Sequence, residues 1–526
     1  MDAKEKMSVI FPWPEKLSLE NPAKLKNFLK GEWVDAQNTK KIINPLSGET
    51  IILMADTQKE ELLPFIKALA DCSEYGLHNP LLNPERYRMY GDVCRKAAQL
   101  LRDQDIRKYF ADLINLVMPK GFDQAVGEVD VTASFLETFS GNNVRNLAKG
   151  VSTPGNHAGE QPINYRWPYG PVAIITPFNF PLEIMALQLM GALFMGNKPI
   201  LKQSSTTSIV AEAFVRLLLH CGMPKNDMLL IHCSGEVMEK LVRWRMVEWG
   251  ISYPAVQLTQ FTGGSDVAHR LLRLTLGRGR VEDAGFDWKL MGPLNKKDYD
   301  EIAKQCDKDA YAASGQKCSA QSILFVHAFD FDEFVPKLKV LAEKRNLADL
   351  SVGPVLTWNN KQLQDHVNKL LAIPGARLLF GGKPLSEKHS IPECYGSYEP
   401  TAVFVPLEKI TSYFKLVTTE VFGPVQVITY WRENEELDLI IKMLNRMKNH
   451  LTAGVVSNDP EFLNYVLGRT VNGTTYAGIR ARTTGAPEWH FFGPAGHPAG
   501  AGIGTPEAII HTWSQNRMIN YDTKEF

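Results

Sequence analysis

The chain has 526 residues, 44% hydrophobic and 22% charged, an ordinary globular composition too long for one core, so two or three domains are expected. Lysine plus arginine and aspartate plus glutamate number 58 each, and the zero net charge excludes a general nucleic-acid or anionic-membrane binder. The seven cysteines form no CxxC pair and no apolar run reaches the ~18 residues of a membrane span, so a reducing compartment is expected, with no disulfide framework, metal site or membrane segment.

The N-terminus, Met1-Asp2-Ala3-Lys4-Glu5-Lys6, is Arg-free and partly acidic, unlike a signal or transit peptide. After Phe11-Pro12-Trp13-Pro14, residues 28–50 read as extended pieces with turns at Gly31 and Leu46-Ser47-Gly48. Over 59–120 the pattern is helical; behind Pro84, Met89, Val93, Ala97 and Leu100 recur at three- and four-residue spacing. A further helix is expected over 125–149, stopped by Gly150. Residues 152–170 are polar with a Pro154-Gly155 turn, as in a surface hairpin or linker, and a subunit-pairing arm is one specific reading.

Strands and helices then alternate. Val172-Ala173-Ile174-Ile175 is a strand, Pro177-Phe178-Asn179-Phe180 a loop, and Pro181 opens a helix ending at Gly196. Pro199-Ile200-Leu201-Lys202 is the next strand, followed by a helix from Thr206 that Gly222 and Pro224 close. Met228-Leu229-Leu230-Ile231 and residues 258–262 are further strands, the latter leading through Gly263-Gly264-Ser265 into a helix from Asp266. Such alternation means parallel βαβ units and a nucleotide-binding type of sheet. The second half repeats it (strand 323–326, helix 331–345, strands 401–405 and 425–430, helix 435–448, strand 452–456) and reads as a second α/β domain. The tail is rich in Gly and Pro over 478–504, and 509–521 is expected to form a closing strand.

The chain is organised around Ser314-Gly315-Gln316-Lys317-Cys318-Ser319-Ala320. Here a cysteine stands among small and polar residues, whereas structural cysteines usually lie in apolar runs, as Cys72, Cys94, Cys221, Cys233, Cys306 and Cys394 are taken to do. A nucleophilic thiolate needs nearby positive charge or oriented N–H donors, and this stretch, where small residues beside Lys317 leave backbone N–H groups free, can supply such donors. Elsewhere the residues alone leave alternatives open. No GxGxxG is present. Lys202 is either a surface lysine or a ligand for ribose or phosphate at a strand end. Gly263-Gly264-Ser265 is either a plain turn or a pyrophosphate cradle. Glu282-Asp283 is either solvated or functional. Asn179 either caps a turn or donates to an oxyanion.

Taken together, Thr176-Pro177-Phe178-Asn179-Phe180-Pro181, Asn197-Lys198-Pro199-Ile200-Leu201-Lys202, Phe261-Thr262-Gly263, Glu282, Gly315-Gln316-Lys317-Cys318 and Glu420-Val421-Phe422-Gly423-Pro424 follow the order and spacing of the aldehyde dehydrogenase superfamily, which the chain resembles over about 28–522. His78-Asn79-Pro80, Tyr165-Arg166-Trp167-Pro168-Tyr169-Gly170, Glu282-Asp283-Ala284-Gly285-Phe286-Asp287-Trp288-Lys289 and Gly478-Ile479-Arg480-Ala481-Arg482-Thr483-Thr484-Gly485-Ala486-Pro487 are similar to the plant-type Δ1-pyrroline-5-carboxylate dehydrogenases, mitochondrial enzymes that oxidise glutamate semialdehyde to glutamate.

The resemblance implies an α/β fold in three parts: a parallel-sheet NAD-binding domain (1–150 and 170–284), an α/β catalytic domain (285–506) and a small β oligomerisation arm (151–169 and 507–526). It implies Cys318 as nucleophile, Glu282 as base for thioester hydrolysis and Asn179 as oxyanion donor. NAD would be held by Thr176, Pro177, Phe178, Lys202, Ser205, Gly263, Gly264, Ser265, Glu420 and Phe422. Glutamate semialdehyde would be held by Phe180, Lys317, Ser319, Thr484, Gly485 and Ala486. A homodimer or dimer of dimers in the mitochondrial matrix is expected, with the targeting segment absent from this chain.

The chain departs from the superfamily in three places: Gly264 replaces the common Ser, residues 244–254 look long, and Ser205 stands where an acid often selects NAD over NADP. The rival readings are oxidation of another carboxylated aldehyde such as succinate semialdehyde, or a non-catalytic structural relative. Acylation of coenzyme A is disfavoured by the presence of Glu282.

Overall fold

The computed structural model describes residues 10–523 apart from 15, 284, 433, 449, 486, 488 and 489. Near-continuous apolar runs such as Val172-Ala173-Ile174-Ile175 become strands covered on both faces, as parallel sheets require. The first seven-stranded sheet runs, in spatial order, Gly279–Asp283, Leu258–Gly263, Pro171–Thr176, Lys198–Gln203, Leu229–Leu230, Asn27–Leu29 and Glu32–Val34. The first five are parallel, and the last two join antiparallel. The chain winds outward from Pro171–Thr176 on one side, then returns to lay Leu258–Gly263 on the other. That reversal opens a crevice beyond the carboxyl ends of these two strands, the ordinary ligand position in such sheets.

The expected helix over 125–149 is two elements, Phe122–Thr138 and a 3-10 turn Asn143–Ala148. The break falls at Gly141, which is left-handed (φ 58°) and donates its N–H to the Gly91 carbonyl at 2.9 Å. A Cβ on Gly91 would lie 1.8 Å from the Gly141 oxygen, so two backbones meet where the periodicity suggested one continuous helix.

The second sheet runs Arg377–Phe380, Thr401–Phe404, Val425–Trp431, Gln321–His327, Asp287–Met291, Thr452–Val456 and Thr474–Ala477, parallel except for its first pair. Asp287–Met291 was not expected, because Asp287 and Lys289 interrupt its apolar pattern. Both are buried and paired: Asp287 accepts from Thr452 N–H (3.0 Å) and Oγ1 (2.7 Å), and Lys289 Nζ meets Asp309 at 2.7 Å.

The expected closing strand 509–521 is a helix, Pro506–Trp513, followed by a strand, Gln515–Asp522. Thr505 accepts from the Ala508 N–H and Pro506 fills the first turn, so the helix has a strong start. Trp513 Nε1 anchors it by donating to Gln188 at 3.0 Å. The strand pairs antiparallel along all of Glu160–Trp167, with Val151–Ser152 on the other side, as a three-stranded sheet whose outer strands are exposed and whose middle strand is half-buried. The long stretch 244–254 is a hairpin, Arg245–Glu248 with Ile251–Pro254, turned by left-handed Trp249 and Gly250. Among the described residues no helix is long and apolar enough to cross a membrane.

Candidate active site

Cys318 follows a turn in which Ala313, Ser314 and Gly315 are all left-handed (φ 54°, 54° and 71°). For the two non-glycines this costs about 1–3 kcal/mol each, and the surroundings hold them in place. Gln124 accepts from the Ala313 N–H (3.1 Å), and Ser314 exchanges two bonds with Gly353. The Gln316 amide donates to the Pro354 carbonyl (2.9 Å) and accepts from Leu356 N–H (2.7 Å). A Cβ on Gly315 would sit 2.2 Å from the Gly423 oxygen. The Gly-Gln-Lys-Cys and Glu-Val-Phe-Gly-Pro stretches are therefore packed backbone to backbone.

Glu282 is carried by the edge strand Gly279–Asp283 of the first sheet. It is buried and neither carboxylate oxygen has a hydrogen-bond partner among the described residues, while the Cys318 thiol lies near enough to act on its pKa. Burial pushes the Glu282 carboxyl up to about 7, with Asp283 adding to the rise and the thiol opposing it. Burial likewise pushes the Cys318 thiol well above its ordinary value, and the carboxyls of Glu282, Asp287 and Glu420 push it further. Lys317 turns its Nζ away to the Lys308 carbonyl (3.0 Å), so the thiol lies among acids and must give its proton to one of them. Glu282 is the acid that shares the wall between the two cavities with it.

Asn179 is buried with Oδ1 unpartnered. Its loop is fixed by a pair that the sequence did not reveal. Lys120 Nζ donates to the Asn179 carbonyl (2.9 Å) and to Glu128 (2.8 Å), and both side chains of this ion pair are fully buried. The other Glu128 oxygen accepts from the N–H groups of Leu182 (2.7 Å) and Glu183 (3.2 Å), at the start of helix Glu183–Phe194.

Cys318, Glu282 and Ile184 separate two cavities. One is lined by the expected residues Pro177, Phe178, Asn179, Gly263, Gly264, Glu420 and Phe422, with Thr357 and Trp358 as unexpected additions. Phe178 and left-handed Phe422 meet edge to face at 5.8 Å, and Glu420 accepts from Gly285 N–H (3.2 Å). The other is lined by Phe180, Lys317, Ser319, Thr484 and Gly485, as expected, and also by Glu128, Asp309, Arg482 and Phe492. Ser319 Oγ donates to Thr484 Oγ1 (3.1 Å), and a Cβ on Gly485 would sit 1.9 Å from the Tyr476 hydroxyl. Ala486 lies outside the described residues.

Four expected residues line neither cavity. Thr176 closes its strand and donates to Gln203, while Ser205 begins a 3-10 turn and Ser265 a helix. Lys202, on the strand Lys198–Gln203, is half-buried; desolvation lowers its pKa, and its ammonium pairs with no carboxylate among the described residues.

A family model described as the aldehyde dehydrogenase family matches residues 33–516. The chain is 52% identical over 512 residues to a probable aldehyde dehydrogenase of Linum usitatissimum, covering 97% of this chain and 91% of that one. It is also 52% identical over 512 residues to the mitochondrial Delta-1-pyrroline-5-carboxylate dehydrogenase 12A1 of Arabidopsis thaliana, covering 97% and 90%. Among solved structures, an NAD-dependent aldehyde dehydrogenase from Sinorhizobium meliloti shares the fold with a TM-score of 0.80 at 20% identity, covering 95% of each chain. Aldehyde dehydrogenase 21 of Physcomitrella patens, in complex with succinate, does so with a TM-score of 0.79 at 19% identity, over 95% and 98%.

Proposed function

This chain belongs to the aldehyde dehydrogenase family, and on that premise we propose that it oxidises L-glutamate γ-semialdehyde, in equilibrium with Δ1-pyrroline-5-carboxylate, to L-glutamate with NAD. The observation that carries the reading is that Cys318 and Glu282 stand together in the wall shared by two cavities. The 52% identical Arabidopsis relative supports the choice of substrate.

Cys318 gives its proton to Glu282 and its sulfur bonds to the aldehyde carbon. The oxyanion so formed is met by the Asn179 amide and the Cys318 backbone N–H, two neutral donors suited to it. A bound NAD would supply the hydride acceptor, which would leave a thioester on Cys318. Glu282, once it has released the thiol proton to solvent, removes a proton from water. The hydroxide oxygen bonds to the thioester carbon, the C–S bond breaks with the electron pair returning to the Cys318 sulfur, and the acid is released. The residues fit such a cofactor: the Lys202 ammonium, paired with no carboxylate among the described residues, suits ribose or phosphate oxygens, and Gly263 and Gly264 line the cavity beside the Phe178–Phe422 pair.

Steady-state turnover across an aldehyde panel tests the reading. Glutamate semialdehyde with NAD should give the highest kcat/KM; a higher value for succinate semialdehyde or a plain aliphatic aldehyde overturns it. Lys202→Ala should raise the apparent KM for NAD by roughly tenfold or more, from the about 1.5–3 kcal/mol of a charged hydrogen bond, with less effect on that for aldehyde. An unchanged KM for NAD would remove Lys202 from the cofactor site.

Lys317 gives a pH test of substrate charge. Burial lowers its ammonium to about 8 while Asp309 opposes the fall, so the side chain is cationic below pH 8 and neutral above it. Preference for a carboxylated aldehyde over an uncharged one of equal length should therefore fall as pH rises through about 8, by roughly tenfold. Lys317→Met should make that ratio flat with pH. A ratio that is flat in the parent protein would remove Lys317 from carboxylate recognition.

The same reading divides the chain at 284 into cofactor and catalytic domains. It also assigns subunit pairing to the three-stranded sheet of Val151–Ser152, Glu160–Trp167 and Gln515–Asp522, giving a homodimer or dimer of dimers. The mitochondrial matrix is the proposed compartment, supported by the name of the Arabidopsis relative.

A further inference from the structure

We propose that His269, Asp283 and His497 form a binding site for one divalent transition-metal ion of the zinc class. Distant in sequence, the three present ligand atoms that all lie within 4.8 Å of one another. His269 is on the helix Ser265–Leu274 and Asp283 ends the edge strand Gly279–Asp283. His497 is on the tail segment that runs along this strand, where Val281 N–H donates to the Ala499 carbonyl (2.7 Å) and Ala501 N–H to the Val281 carbonyl (2.8 Å).

His269 Nε2 stands 3.4 Å from Asp283 Oδ2, and the two imidazoles stack with centroids 6.0 Å apart. Asp283 is 1% exposed and neither carboxylate oxygen accepts a hydrogen bond. A buried carboxylate in that state is costly, and a bound cation would supply what it lacks. Two imidazoles and one carboxylate make a three-ligand set that leaves a fourth position open, the pattern of accessible zinc sites. Both histidines are partly exposed, so an ion can enter from solvent. The His497 Nδ1 accepts from Ala499 N–H at 3.1 Å. Coordination through Nε2 shifts the ring proton to Nδ1 and forfeits that bond, while coordination through Nδ1 displaces it. The site is therefore weaker than a closed structural zinc centre. An ion here would tie the strand end that carries Glu282 to the helix and to the tail.

The test needs no substrate and is independent of the function proposed above. Full-length Cys318→Ala protein, which cannot offer the active-site thiol as a competing ligand, is freed of metal with a chelator and titrated with Zn²⁺. Stoichiometric binding of one ion and a raised Tm are expected. His269→Ala and His497→Ala should each weaken binding by more than about tenfold, the scale of loss known even for outer partners of metal ligands, and the double variant should lose both binding and the Tm shift. Absence of stoichiometric binding, or a smaller change in either single variant, would overturn the site.

Discussion

Cys318→Ala is expected to abolish NADH formation, with a loss of at least about 10⁴-fold, the scale on which removal of a covalent nucleophile acts. No other thiol can substitute for it. Cys394 is exposed, and the remaining five are buried away from both cavities, where burial raises the thiols of Cys72, Cys94, Cys221, Cys233 and Cys306. The substitution removes only a sulfur from a loop whose left-handed turn is held by Gln124, Gly353, Pro354 and Leu356, so the turn and the cofactor-side cavity should persist. NAD affinity, read by fluorescence titration, should therefore match that of the parent. NADH formation within tenfold of the parent would place the nucleophile elsewhere, and lost NAD binding would mean that the loop had collapsed.

Why the nucleophile could be read from sequence, while its electrostatic setting could not, follows from where the information lies. The small and polar residues around Cys318 are local, and Gly315 is required by the close Gly423 carbonyl, so the motif records its own geometry. The thiol's neighbours are not local. Glu282, Asp287 and Glu420 arrive from other segments, and the adjacent Lys317, the one nearby cation the sequence offered, turns to Lys308. Lys120 and Glu128 were invisible for the same reason: each looks like an ordinary polar position, and their joint hold on the Asn179 loop spans 59 positions. In Asp287–Met291 the alternation rule failed because buried Asp287 and Lys289 find partners on other elements, which no apolar pattern records. The parallel strands around it, whose buried faces are apolar, were legible.

Glu282→Gln is expected to leave a stoichiometric burst of NADH while lowering steady-state turnover by about 10²–10⁴-fold, the usual worth of a positioned general base. Two effects compete in this variant. The amide cannot accept the thiol proton, which by itself would slow attack on the aldehyde. It also removes the negative charge that raises the Cys318 thiol, so more thiolate forms without help at mildly alkaline pH. Attack therefore survives in part, and the burst with it. Hydrolysis has no such relief, because a water molecule poised against the thioester still needs a proton acceptor, and among the described residues Glu282 is the carboxyl that lines both cavities with Cys318. The acyl group should accumulate on Cys318 and appear as a mass increase on the peptide that contains it after acid quench. Stopped-flow absorbance at alkaline pH gives the burst, and mass spectrometry of the quenched protein gives the adduct. Parent-like steady-state turnover would remove Glu282 from the hydrolytic step. A burst with no covalent adduct would mean that another residue activates water, and that Glu282 serves only as the acceptor for the thiol proton.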